Sequence, residues 1–125
     1  METINIYGAS NGKHLKVKEQ SFKSNLVNLK WDIFLNDDAK ENKFLLEDQT
    51  KISTNPRMVY YKNNKEYIFR KDIFNRTCKI SLDGNIHATI NVEKKVPVSL
   101  KTVAKTDDLT IIELLGIYYV ISLVY

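Results

Sequence analysis

Six cations fall within eighteen residues in the middle of this chain: Lys62, Lys65, Arg70, Lys71, Arg76 and Lys79. Tyr60, Tyr61, Tyr67 and Phe69 are interleaved with them, and Lys94-Lys95 follow. Ammonium and guanidinium groups neutralise phosphate or carboxylate oxygens, and neighbouring rings offer a stacking or apolar surface. The pattern therefore suits an anionic lipid headgroup or a single-stranded nucleic acid. The plainer account is a solvated outer face whose lysines blunt strand edges. Arg70, Lys71 and Arg76 are the favoured anion site, because they flank the turn expected over residues 72–75. Arg70 has two alternative partners nearby in Asp72 and Asp83.

Residue types for catalysis are sparse. His14 and His87 each stand on the polar side of an alternating run, without a Ser or Cys beside them. Two His and one Cys without close spacing do not make a zinc site. Asp37, Asp38 and Glu41 lack the ordered spacing and the glycine of a calcium loop. No glycine-rich loop is present to cradle a phosphate. With no set of acid, base and nucleophile, the expectation is a protein that is not an enzyme and that uses no metal or cofactor. Cys78, on the apolar side of its run, reads as a small buried hydrophobe. As the single cysteine, it cannot form a disulfide within the chain. Met1 to Ser10 has no basic stretch followed by an apolar one, so a reducing cytoplasm is the expected compartment, with association to a membrane surface through the basic face.

Charge is segregated along the sequence. Residues 51–106 carry twelve Lys and Arg against four acids, whereas residues 1–50 carry seven against eight and residues 107–125 carry three acids and no base. The middle segment is the electrostatic face of the molecule. With 125 residues, 43% hydrophobic and 27% charged, the chain fits one globular domain over 1–125 with a core of its own.

Short strands must position these groups. Ile4 and Ile6 alternate before an Asn11-Gly12 turn, and Leu15 and Val17 alternate after it. Residues 21–36 fit either a helical stripe through Phe22, Leu26, Leu29 and Ile33 or a strand through Leu29, Trp31 and Ile33, with the strand favoured by its neighbours. A polar loop is expected over residues 36–42 and a short strand at Phe44 to Leu46. Asn63-Asn64 and Asp83-Gly84 each join two alternating runs, predicting hairpins over 57–71 and 77–92. A further strand covers 96–104, with Pro97 at an edge or strand start.

The last segment, 107–125, is almost wholly apolar and predicts a helix that Thr106, Asp107 and Asp108 cap, with Thr110 and Glu113 as a second start. A pair of strands broken at Gly116 is the alternative. The seventeen residues from Leu109 reach roughly 25 Å as a helix. That is short for a bilayer span, the run contains Glu113, and it lacks a basic flank. Apolar residues on every side also disqualify it as a surface helix. Burial inside its own protein is expected, with Glu113 at the open end of the core. A tail anchor is the competing reading.

Many short antiparallel strands followed by one hydrophobic C-terminal helix resemble the tubby C-terminal domain and its scramblase and LURP-one-related kin. Residues 50–58, TKISTNPRM, lead to residues 67–74, YIFRKDIF, and residues 108–119 read DLTIIELLGIYY. These stretches look like the small bacterial tubby-like proteins, most firmly over 44–125. The resemblance implies a mainly β (α+β) fold: an antiparallel β-barrel of about twelve short strands around the central helix. It also implies a binding module for an anionic or lipidic ligand or a protein partner, with a nucleic-acid-binding module as the alternative. The phosphoinositide-binding positions of the animal members do not align residue by residue with this chain, so no site residue is carried over from them.

Overall fold

In the computed structural model, which describes residues 5–10, 13–20, 29–37, 40–52, 54–72, 76–95, 98–104 and 108–125, turn chemistry sets the topology. Asn63 and Asn64 have φ of 51° and 64°, and Asp83 and Gly84 have 52° and 81°. Two successive left-handed residues make the turn whose twist matches that of paired strands, and Asn, Asp and Gly tolerate it best. The strands so joined are β5 (Arg57–Lys62) with β6 (Lys65–Arg70), and β7 (Thr77–Leu82) with β8 (Asn85–Lys95). They belong to a single antiparallel sheet that also contains β1 (Asn5–Ser10), β2 (Lys13–Glu19), β3 (Lys30–Asp37), β4 (Lys40–Asp48) and β9 (Val98–Ala104). Spatial order follows sequence order from β1 to β9.

Nine strands are present among the described residues, against the twelve or so that the resemblance implies, and no ladder among those residues joins β1 to β9. The expected loop over 36–42 is mostly strand: β3 runs to Asp37 and β4 begins at Lys40. Lys40, Glu41 and Lys43 are polar enough to look like loop, yet the first two sit exposed at the outer end of a long hairpin. Residues 30–37 form the strand that their neighbours favour over the helical stripe. Phe22, Leu26, the Asn11-Gly12 turn and Pro97 lie outside the described residues.

One face of the sheet is apolar. Leu15, Val17, Trp31, Ile33, Leu46, Met58, Tyr60, Tyr67, Phe69, Cys78, Ile80 and Ile90 are buried there, every second residue along each strand. Helix α1 (Ile111–Val124) supplies the other half of the core through Ile112, Leu114, Ile117, Val120 and Ile121. It packs against β1, β2 and β8 and is bonded to β4 and β5 through side chains. The sheet therefore curls around the helix, even though β1 and β9 each have one unpaired edge among the described residues. No helix among the described residues is long and apolar enough to cross a membrane, and α1 is committed to the sheet.

The helix begins at the second start, not at residue 107. The Thr110 side chain accepts from the Glu113 backbone N–H, and the Glu113 carboxylate accepts from the Thr110 N–H, a reciprocal capping box. It continues through Gly116, which excludes the strand pair. A Cβ at position 116 would stand 2.2 Å from Cδ2 of Leu15, so glycine there lets β2 approach the helix backbone. One side of α1 remains exposed at Ile111, Tyr119 and Leu123.

Cys78 is fully buried, as its alternation predicts. Burial pushes its thiol up to about 12 from 9.0. A thiol-labelling reagent at pH 8 should leave the native protein unmodified and label one thiol per chain in denaturant. Because the folded value lies above the unfolded one, an unfolded chain loses this proton first. Stability should therefore fall as pH rises from about 9 towards 12.

Candidate functional site

The alternation of β5, β6 and β7 places Lys62 and Lys65 on one face of the sheet and Arg70 and Lys79 on the other. Met58, Tyr60 and Lys62 share the inner face with Lys65, Tyr67 and Phe69, because Lys62 is paired with Lys65 and Tyr60 with Tyr67. Lys62 is only 9% exposed and Glu113 0%. The Lys62 ammonium donates to both Glu113 oxygens, at 2.8 and 3.0 Å, and to the Asp108 carbonyl at 2.7 Å. It also lies 5.3 Å from the centre of the Phe44 ring. Tyr60 donates its hydroxyl to Glu113 at 2.6 Å, and the Thr110 hydroxyl lies 3.0 Å from the same carboxylate. Burial, and then the Glu113 charge, hold the Tyr60 hydroxyl far above its ordinary range.

Lys65 donates to Asp108 Oδ2 at 2.9 Å, and Tyr67 donates to the same oxygen at 3.2 Å. The bond to Asp108 keeps the Lys65 ammonium protonated to higher pH. Lys62 and Lys65 are thus bonded to the start of the helix. Glu113 is sealed inside the core by a cation and two hydroxyls instead of standing at its open end. Sequence reasoning missed this arrangement, although one signal was available: Lys62 and Lys65 have the same parity as the apolar residues beside them.

The outer face holds a different set. Arg57 is paired with Arg70, and Arg70 with Lys79, across β5, β6 and β7. Residues directly opposite in antiparallel strands point to the same side, so three cations stand in one row. Like charges in that position repel, and an anion laid across the row would relieve the repulsion. Arg57 is partly neutralised by Asp72, at 3.1 Å. Arg70, exposed on the strand, has no ion pair among the described residues, and neither Asp72 nor Asp83 holds it. Lys71 donates to the Asp72 carbonyl at 3.1 Å. Arg76 is exposed at the start of β7, and the expected turn between them lies largely outside the described residues.

Beside this row is a groove of about 430 Å³ lined by Gln49, Lys51, Ile52, Asn55, Arg57, Val59, Ile68 and Arg70. Its roof is the segment between β4 and β5, whose two ends are bonded to each other at its base. The Thr50 hydroxyl accepts from the Arg57 N–H at 2.8 Å, the Gln49 N–H donates to the Arg57 carbonyl at 2.9 Å, and Asp48 accepts from the Thr50 N–H at 2.9 Å. His14 is exposed on β2, and His87 stands edge-on to Tyr67, their ring centres 6.5 Å apart.

The Tubby C-terminal like domain family model matches residues 1–125, the whole chain. No curated protein and no solved structure matches it.

Proposed function

Because the chain belongs to the Tubby C-terminal like domain family, we propose that it is a non-enzymatic binding module that takes an anionic ligand on the outer face of β5, β6 and β7. The observation that carries this reading is the unbroken row Arg57, Arg70 and Lys79, with Arg70 free of any ion pair among the described residues. Lys71 and Arg76 extend the field at the end of the row. Lys62 and Lys65 are outside the proposed site, since their charges are spent on Glu113 and Asp108. An anionic membrane surface is the favoured setting, where each cation near the headgroups contributes about 1 kcal/mol. Full barrel closure, as in the tubby fold, fits this reading but is not required by it.

Co-sedimentation with vesicles tests it. The protein should pellet with vesicles rich in phosphatidylglycerol and stay in the supernatant with pure phosphatidylcholine. Arg70→Glu with Lys79→Glu should weaken that association about tenfold or more. Equal binding to neutral and acidic vesicles would overturn the reading, as would preferential retention of a single-stranded oligonucleotide.

A further inference from the structure

The two outward rows of β5 and β6 differ in chemistry. Arg57 faces Arg70 in one row and Val59 faces Ile68 in the next. Same-face rows lie about 7 Å apart along a strand, so a cationic strip adjoins an apolar one. Ile68 is 37% exposed, and Ile52, on the segment that roofs the groove, is 60% exposed. Lys51 and Arg70 stand at the same groove. Its volume falls within the range of about 300–1,000 Å³ found for small-molecule sites. A bare phosphate would satisfy the cations and leave Ile68 and Ile52 wetted. A neutral hydrocarbon would cover those two and leave the arginines without an anion.

We infer that the groove takes a single-chain anionic amphiphile, an alkyl phosphate or alkyl carboxylate, with its head against Arg57 and Arg70 and its chain over Val59 and Ile68 beneath Ile52. The inference rests on the anion-binding reading above and adds the apolar half of the ligand. The hydrogen bonds from Gln49 and Thr50 to Arg57 close the base of the roofing segment, which reduces the ordering that opposes binding. The bond of Asp72 to Arg57 leaves Arg70 as the principal anion contact.

Titration calorimetry on the whole chain with inorganic phosphate, butyl phosphate, octyl phosphate and octyl glucoside, each below its aggregation concentration, tests this. Octyl phosphate should bind at least about tenfold tighter than butyl phosphate, from the methylenes it covers. Octyl glucoside should bind far more weakly than octyl phosphate. Ile68→Ser should reduce the gain from chain length and leave inorganic phosphate unaffected, whereas Arg70→Gln should weaken every anion. Octyl phosphate should also release the protein from acidic vesicles, since both ligands need Arg70. Anion binding that is indifferent to chain length would overturn the amphiphile while leaving the basic-face reading intact. Equal binding of octyl glucoside, or vesicle binding unchanged at saturating octyl phosphate, would overturn the shared site. If no anion binds at all, both readings fall.

Discussion

Glu113→Ala is expected to lower the free energy of unfolding by about 3–5 kcal/mol, the range seen when one partner of a buried ion pair is removed. The substitution leaves the Lys62 ammonium in the core without its carboxylate, takes the acceptor from the Tyr60 hydroxyl and removes half of the capping box at Thr110. Those losses share one carboxylate and should not add as independent amounts. The triple substitution Tyr60→Phe, Lys62→Met and Glu113→Leu removes donors and acceptor together. It should recover most of the stability, because apolar groups of similar volume often replace a buried pair without loss. Urea denaturation with a constant slope measures both. A loss under about 1 kcal/mol for Glu113→Ala would mean that Lys62 reaches water and that the cluster behaves like a surface pair.

Gly116→Val is the second large effect, with an expected cost of about 1–3 kcal/mol from overpacking. The new Cβ would meet Leu15 Cδ2 at 2.2 Å, in a core where Leu15 is 2% exposed and its side chain has little room to turn away. Helix propensity offsets only a few tenths of a kcal/mol of this, since valine is itself a weak helix former and glycine only slightly worse. The size of the net cost therefore reports how tightly β2 holds its position. Combining Gly116→Val with Leu15→Ala should cost less than the sum of the two single changes, because one side chain vacates the space the other enters. Additive costs in thermal denaturation would show that the helix, and not Leu15, had moved.

What was legible in the sequence was mostly local. Asp83-Gly84 and Asn63-Asn64 announced their hairpins because the left-handed turn filters residue types within two positions. Thr110 and Glu113 carried the helix start for the same reason, over three residues. The ambiguity at residues 29–33 arose because Leu29 and Ile33 satisfy both periods, and pairing with β2 and β4 decides it. The bond between Lys62 and Glu113 spans 51 residues, and no local pattern states that distance. A lysine count alone placed Lys62 and Lys65 with Arg70 and Lys79, although strand parity separates them by the full thickness of the sheet. The groove has no local signature in the chain, because a connecting segment forms its roof.

The order of the strands has a bearing on how the molecule is made. Each strand's neighbours in the sheet are its neighbours in the chain, so hairpins can zip in succession with short loops to close, which favours fast pairing. The helix comes after all nine strands in chain order. On a ribosome, the inner surface bearing Trp31, Tyr60 and Phe69 therefore emerges well before the helix that covers it. During that interval the growing chain displays an uncapped apolar trough, the kind of surface that holdase chaperones and aggregation compete for. Emergence of the helix would then govern the yield of folded protein more than any strand pairing does.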